Sequence, residues 1–310
     1  DGEIHRLDRH PSISKHPITP MLESDLRLHL AKQTKKKTAL FDILKIALPE
    51  NESLAALKKI LAEKPGVVLF DALTEGHLQR VGKLIDWFAS AKQPLFSVGS
   101  SGIEMALASV WSEGNDVKSL KLKSKSLRLV TASSTKQILV GSGSCSPVTS
   151  VQIAWALKNG FAEVPLDANA LAAKNSETEI QRATEVVVNF FKAGRSVIVH
   201  TTKNGSDKRI AAKLKNQTAE ILGTALGKVL RRALAQTKLQ RLCIAGGDTS
   251  SFAARALGIE ALEMIAPLTP GAPLCRAFAP GSPADKIEVV FKGGQVGAKN
   301  YFEIVKRGKI

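Results

Sequence analysis

The sequence has few cysteines, few aromatic residues and no long apolar run, and each scarcity excludes a class of protein. The three cysteines, Cys145, Cys243 and Cys275, are widely spaced and form neither a zinc-binding pattern nor an even set of disulfide partners. Aromatic residues make up only 5% of the chain. No apolar stretch is long enough to span a bilayer, and the polar start DGEIHRLDRH lacks a signal-peptide core. We therefore expect a cytoplasmic protein with no membrane partner.

Positive charge is plentiful: Lys and Arg number 44 against 28 Asp and Glu, which gives a formal net charge of +16. Such a charge is typical of proteins that bind nucleic acid or small anions. Lysines cluster at 35–37, 118–125 and 203–215, but no aromatic side chains for base stacking are interleaved with them. The pattern favours small anionic ligands and predicts no nucleic-acid partner.

Strands alternate with helices along the chain, which indicates parallel sheets with helices on their faces. We expect an α/β fold of two Rossmann-like, three-layer domains with mostly parallel sheets and an inter-domain cleft. The predicted boundaries are 1–112 for the first domain, 113–125 for a linker and 126–310 for the second domain. The same patterns predict strands at 39–46 and 95–98 and a proline-glycine loop at 268–283.

Three turns rich in Gly, Ser and Thr follow predicted strands in the second half, at 142–146, 246–250 and 293–297. Their backbone N–H groups and hydroxyls would form an anion cradle, and a nucleotide is the ligand that this cradle suits. Neither the Walker sequence nor GxGxxG is present. The alternative is an ordinary strand-to-helix turn in which Asp248 or Thr249 caps the helix.

Two other candidates point away from hydrolase chemistry. His200 ends an apolar strand, which is more typical of a satisfied buried histidine than of a catalytic base. Ser144 lacks the G-x-S-x-G spacing of an acyl nucleophile. Cys243 lies in an apolar strand and is expected to be inert core.

Six segments in order resemble the four-carbon acid sugar kinase family, whose members have often carried the label of Hrp-dependent type III effector. The segments are HPITPMLESDLRLHLAKQT (16–34), PLFSVGSSGIEMALASVW (94–111), VGSGSCSPVTSVQIAWAL (140–157), VIVHTTKNGSDKRI (197–210), CIAGGDTSSFAARALGI (243–259) and the stretch from LTPGAPLCRAF to VVFKGGQVGAKNYF (268–302). The resemblance implies a sugar-binding N-terminal domain and a nucleotide-binding C-terminal domain. It also implies that ATP phosphorylates a small-molecule sugar acid such as threonate, erythronate or an oxo-tetronate.

The resemblance also assigns residues. The positions similar to the family's nucleotide contacts are Ser144, Ser146, Gly246, Gly247, Asp248, Thr249, Gly293 and Gly294. The positions similar to the lining of its substrate cleft are Asp25, Arg27, Ser100, Ser101 and Gly102. Arg27 would pair bidentately with a carboxylate, and the alternative is an arginine on a helix surface. Lys292 is a candidate helper near the phosphates. The implied cofactors are ATP and Mg²⁺, with no metal held by a protein cluster.

One family feature, an aspartate-rich DD-x-TGA turn preceding the HPxTPM segment, does not occur in these 310 residues. Its acidic residues would activate the sugar hydroxyl, so the catalytic residues stay unassigned. A nucleotide-binding protein that does not catalyse transfer therefore remains as an alternative. A nucleic-acid-binding or secreted effector-like protein is a further alternative, suggested by the net charge of +16 and the effector label. A homodimer is left open.

Overall fold

The computed structural model describes residues 4–11, 13–14, 19–114, 132–173, 176–202 and 218–309. The chain divides into two compact units, Asp1–Ser124 and Lys125–Ile310. Of the predicted linker 113–125, only the first two residues are described, and they end a helix. The lysine clusters at 118–125 and 203–215 lie outside the described residues. No helix in the described part of the chain is both long and apolar enough to cross a membrane.

Unit 1 contains a two-stranded parallel sheet with helices around it. Its elements are a 3₁₀ turn (Leu7–Arg9), α1 (Leu26–Ala31), β1 (Thr38–Phe41), α2 (Ile43–Ala47), α3 (Glu50–Ala62), β2 (Val67–Phe70), α4 (Glu75–Phe88) and α5 (Ser101–Gly114). The strands pair in register from Thr38 with Val67 to Phe41 with Phe70. The Phe41 and Phe70 rings pack with their centroids 5.5 Å apart and their planes tilted by 57°, and α2, α3 and α4 add apolar residues to this core.

One predicted strand of unit 1 is too long, and another is wrong. The run 39–46 is a strand only as far as Phe41, because the Asp42 carboxylate accepts a hydrogen bond from the Lys45 N–H at 3.0 Å and starts α2. A continuous apolar run does not by itself distinguish a strand from a short helix. The stretch 95–98 is not a strand either; it is irregular, and Phe96 and Val98 are exposed.

Unit 2 is built on a seven-stranded sheet with the order β4-β5-β3-β6-β9-β8-β7. The first five strands in this order, β4, β5, β3, β6 and β9, run parallel to one another. Strand β8 runs antiparallel to both β9 and β7. The elements are β3 (Leu139–Ser142), α6 (Pro147–Lys158), β4 (Ala162–Pro165), α7 (Ala168–Ala172), α8 (Ser176–Lys192), β5 (Val197–His200), α9 (Thr218–Gln236), β6 (Arg241–Ala245), α10 (Gly247–Leu257), β7 (Ala261–Ala266), β8 (Leu274–Phe278), β9 (Glu288–Lys292) and α11 (Tyr301–Arg307).

Apolar side chains cover both faces of this sheet, which explains the continuous apolar runs of its strands. Leu139 packs in a core with α8, α9 and α10, while its neighbour Val140 packs on the other face with α6 and α11. The period-2 alternation of side chains along a strand produces this division. Unit 2 therefore has three layers, and the predicted α/β class with a mostly parallel sheet is confirmed.

The predicted loop 268–283 is also wrong, because it contains β8. Proline lacks the N–H that a sheet ladder needs, and the prolines of this stretch lie just outside the strand, with Pro273 directly before it and Pro280 after it. The strand β7, which pairs with β8 at the sheet edge, was not predicted at all.

Two glycines on α9 let α10 pack closely against it. A Cβ on Gly227 would lie 2.7 Å from the Ala256 Cβ and 2.8 Å from the Ala253 carbonyl oxygen, and a Cβ on Gly223 would lie 2.8 Å from the Phe252 Cβ. These distances are shorter than normal van der Waals contacts. The close approach fixes the position of α10 and hence of the turn that precedes it.

We predict that Gly227→Ala destabilises unit 2 by about 1–3 kcal/mol, although alanine is the better helix former by about 1 kcal/mol. The new methyl group meets the backbone of Ala253, so α10 must move. Thermal unfolding followed by circular dichroism should show a transition lowered by several °C. The matched control is Gly76→Ala in α4, where the nearest atom is 3.8 Å away. Equal melting of both variants would contradict this account.

Candidate functional site

The last residues of four neighbouring parallel strands in unit 2 stand in one row. Ser142 of β3 is in register with His200 of β5 and with Ala245 of β6. Ala245 is in turn in register with Lys292 of β9. The three predicted turns therefore leave the sheet at the same level, at the carboxyl edge where open α/β sheets bind their ligands.

The first and second turns lie in direct contact. The Gly143 N–H donates to the Ala245 carbonyl oxygen at 3.1 Å. A Cβ on Gly143 would lie 2.1 Å from the Thr249 Oγ1, and a Cβ on Gly246 would lie 3.2 Å from the Ser144 nitrogen. Gly246 also has a φ of 122°, which side chains other than glycine rarely adopt.

The third turn closes against the first. A Cβ on Gly294 would lie 2.8 Å from the Ser144 Oγ and 2.9 Å from the Ser146 Cβ. The Ser144 Oγ accepts from the Ser146 N–H at 3.2 Å, and the Ser146 Oγ accepts from the Val148 N–H at 3.2 Å. The structure thus brings all three turns together.

The second turn presents backbone donors that no side-chain cap among the described residues satisfies. Helix α10 begins at Gly247, directly after β6, and Gly246 at its N-cap supplies no side-chain hydrogen bond. The amides of a first helical turn have no intrahelical partner, and they lie at the positive end of the helix dipole. Gly247 and Asp248 are exposed, whereas Thr249 is buried. Neither Asp248 nor Thr249 is the N-cap of α10, so that part of the alternative interpretation is wrong.

Lys292 lies beneath the third turn and is 1% exposed. Its Nζ donates to the Thr149 Oγ1 at 2.9 Å and to the Gly293 carbonyl oxygen at 3.0 Å. Burial lowers the pKa of Lys292 to about 8. The Thr149 Oγ1 in turn donates to the Gly294 carbonyl oxygen at 2.8 Å.

Gln152, one helical turn after Thr149 on α6, holds the rest of the third turn. Its Nε2 lies within hydrogen-bond distance of three carbonyl oxygens, those of Val296 and Gly297 at 2.9 Å and of Ala298 at 3.1 Å. Neither Thr149 nor Gln152 was predicted. The sequence feature that could have indicated them is their i, i+3 spacing on the helix that follows the first turn, because this spacing places both side chains on one face of the helix.

The remaining candidates of unit 2, His200 and Cys243, lie outside the three turns. His200 is buried, with its Nε2 at 2.8 Å from the Glu163 Oε1, as expected for a satisfied buried histidine. Burial raises the pKa of the Cys243 thiol to about 12, in keeping with inert core. Within the described residues, no group of three or more His, Cys, Asp or Glu side chains could hold a metal ion.

The candidates of unit 1 fall into two groups. The Asp25 carboxylate caps α1 by accepting from the Arg27 N–H at 2.9 Å, and it also accepts from the Arg27 Nε at 3.0 Å and Nη2 at 2.6 Å. The hydrogen bonds from Arg27 lower the pKa of Asp25 to about 2. The guanidinium predicted to hold a substrate carboxylate is therefore already paired with a carboxylate of its own helix.

The second group begins α5. Ser101 is the first residue of that helix and Gly102 the second, and the Ser100 carbonyl oxygen accepts from the Ile103 N–H at 3.1 Å. Ser100 and Ser101 are exposed. No hydrogen bond joins this group to Asp25 or Arg27 in the part of the chain that the structure describes.

Comparison with known proteins assigns the two units. Residues 139–302 match a family described as a nucleotide-binding C-terminal domain, and residues 4–107 match one described as a sugar-binding N-terminal domain. The two matches thus define the class: a two-domain protein whose C-terminal part matches a nucleotide-binding domain family and whose N-terminal part matches a sugar-binding domain family. The chain belongs to the four-carbon acid sugar kinase family, as its sequence segments predicted.

Curated relatives of the chain are bacterial kinases. A 3-oxo-isoapionate kinase from Paraburkholderia graminis is 38% identical and aligns with 100% of this chain and 66% of its own length. A 3-oxo-tetronate kinase from Pseudomonas savastanoi is 26% identical over 94% of this chain and 63% of its own length. A D-threonate kinase from Salmonella typhimurium is 26% identical, and the alignment covers 91% of this chain and 63% of the length of that kinase. The chain therefore spans no more than 66% of the length of these relatives.

Solved structures support the fold. A protein from Salmonella typhimurium described as a putative tRNA synthase has a TM-score of 0.69 at 20% identity, covering 96% of this chain and 66% of its own. A Haemophilus influenzae protein has a TM-score of 0.57 at 21% identity, covering 95% and 66%. At such identities the likeness shows a shared fold and carries nothing about activity.

We predict that Lys292→Met changes how stability depends on pH. A lysine in the unfolded chain has a pKa of about 10.4, so between pH 8 and pH 10.4 the unfolded chain binds more protons than the folded one. The unfolding free energy of the unaltered protein should therefore rise with pH, relative to the variant, by up to about 1.4 kcal/mol per unit. Urea unfolding at pH 7, 8 and 9 measures this difference. Lys299→Met, at an exposed position, is the control. If the difference in unfolding free energy between Lys292→Met and the unaltered protein did not change with pH, the lowered pKa of Lys292 would be refuted.

Proposed function

We propose that this protein is an ATP-dependent kinase that phosphorylates a hydroxyl group of a four-carbon sugar acid of the threonate, erythronate or oxo-tetronate type. The observation that carries the proposal is the contact of three glycine-rich turns at the ends of β3, β6 and β9. Family membership and the names of the curated relatives support the same reaction class.

The cluster of turns suits a triphosphate. It combines the unsatisfied amides of α10, the hydroxyls of Ser144 and Ser146, and glycines without side chains that would obstruct an approaching ligand. Gly247 is the most open of these glycines, since a Cβ there would meet no atom within 4 Å. We assign Ser144, Ser146, Gly246, Gly247, Thr249, Gly293 and Gly294 to the phosphates.

The oxygen ligands available at the three turns also fit Mg²⁺ bound together with a nucleotide. Magnesium ions in kinases are held mainly by phosphate oxygens and water, with one or two carboxylates. Asp248 is the single acidic residue in the three turns, and its exposed position in the first turn of α10 suits this role. Bound Mg²⁺ would neutralise phosphate charge during transfer.

Unit 1 would bind the acceptor. Arg27, which is exposed, and Asp25, which is half-buried, form an ion pair at the start of α1. The Asp25 carboxylate raises the pKa of Arg27, and the Asp71 charge raises it further by a smaller amount. A sugar-acid carboxylate would have to share or displace the Asp25 carboxylate on this guanidinium. Ser100, Ser101 and Gly102 at the start of α5 would supply hydroxyl and amide donors.

We predict that Gly247→Ala weakens binding of a non-hydrolysable ATP analogue about tenfold, which corresponds to about 1.4 kcal/mol. The new methyl group meets no protein atom, so the melting temperature should not fall, but it would occupy the approach to the α10 amides. Isothermal titration calorimetry measures the affinity, with Gly76→Ala as the control in unit 1. An unchanged affinity would remove Gly247 from the site.

The reaction itself is tested by coupling ADP release to NADH oxidation with Mg-ATP and a panel of acids. The panel contains D-threonate, erythronate, 3-oxo-tetronate and 3-oxo-isoapionate, and ³¹P NMR identifies the product. We expect at least one acid to stimulate ADP release and to yield a phosphate ester. Binding of the ATP analogue without transfer to any acid would instead identify a nucleotide-binding protein that lacks the kinase activity.

A further inference from the structure

A buried ammonium group lies under the proposed phosphate site without a counter-ion. Lys292 is 1% exposed, and no carboxylate lies within ion-pair distance of it among the residues that the structure describes. Burying an unpaired charge is costly, so such groups usually have a partner. Within the described residues, this positive charge therefore has no compensating carboxylate.

The groups that face this ammonium do not supply an anion. Cys243 of β6 and Tyr301 of α11 are its titratable neighbours, and the Nζ lies 5.8 Å from the Tyr301 ring centroid. Burial raises the pKa of the Cys243 thiol to about 12 and also raises the pKa of the Tyr301 hydroxyl, so both groups are neutral near pH 8. The hydrogen-bond partner that α6 supplies to Lys292, Thr149, is uncharged.

The hydrogen bonds around Lys292 have a fixed direction. The Gly294 carbonyl oxygen can only accept, so the single hydroxyl proton of Thr149 is donated to it. The Thr149 oxygen must then accept from the Lys292 Nζ. Because Gly294 lies against Ser144 and Ser146, this relay from β9 through α6 holds the third turn against the first.

We propose that Lys292 is a positioning residue that acts through Thr149 to hold the third turn, and that the phosphates of a bound nucleotide supply its missing counter-charge. This inference rests on the proposed nucleotide site. It deepens that proposal in two ways. The attraction between the buried ammonium and the phosphates contributes to the binding free energy of the nucleotide, and nucleotide binding is coupled to the protonation of Lys292.

The relay is tested with Thr149→Val, which keeps the shape of the side chain but removes the hydroxyl, and with Thr149→Ser, which keeps the hydroxyl. Both variants retain Lys292. We expect Thr149→Val to bind a non-hydrolysable ATP analogue at least tenfold more weakly at pH 7.5. Thr149→Ser should bind it within about threefold of the unaltered protein.

The coupling to protonation is tested by calorimetry at pH 7.5 and 9.5, in two buffers of different ionisation enthalpy. The unaltered protein should lose at least tenfold in affinity over this range, since the affinity contributed by a protonated group falls up to tenfold per pH unit above its pKa. It should also take up close to one proton per nucleotide at pH 9.5. Lys292→Met should bind weakly, show a flat pH profile and take up no proton. A purely structural role would not produce proton uptake.

The outcomes separate the two proposals. If the unaltered protein binds no nucleotide at any pH, the proposed function fails and this inference fails with it. If it binds nucleotide while Thr149→Val keeps both its affinity and its pH profile, the inference alone is overturned. If Lys292→Met does not fold, the comparison of Thr149→Val with Thr149→Ser and the proton uptake of the unaltered protein still decide the question.

Discussion

The common register of β3, β6 and β9 is the constraint on which the rest of unit 2 depends. Parallel pairing places Ser142, Ala245 and Lys292 side by side, so that the chain leaves the sheet three times within one small area. Each exit must turn without a bulky side chain, because the next turn lies in contact with it. The glycines at 143, 246 and 294 follow from that crowding as much as from any need to admit a ligand.

Side chains from one helix hold the third turn in this crowded region. Thr149 and Gln152 of α6 donate hydrogen bonds to carbonyl oxygens of the third turn and so hold it in place. Helix α10 is placed independently, through its close packing on the glycines of α9. Two helices on opposite faces of the sheet thus fix the two turns between which a phosphate would bind.

Much of this arrangement could be predicted from the sequence, because its signals are local. Apolar runs marked β3, β5, β6 and β9, and the small residues after three of them marked the turns. The contacts of Thr149 and Gln152 could not be predicted, since they depend on residues about 145 positions away. The stretch 39–46 was assigned wrongly because the Asp42 cap, rather than hydrophobicity, decides where the strand ends. The stretch 268–283 was predicted as a loop because of its prolines, but these prolines flank β8 and do not interrupt it.

The charges of the site show why the net charge of +16 says little about how an anion would bind. The three turns contain one charged side chain, the Asp248 carboxylate, and the nearest cation among their hydrogen-bond partners is buried. An anion in these turns would meet oriented amides and hydroxyls first, and the field of Lys292 from below. In a medium of low dielectric constant a buried charge acts more strongly than an exposed one. A buried ammonium held by Thr149 would therefore favour a multiply charged phosphate, while hydrated surface lysines would mainly speed its approach.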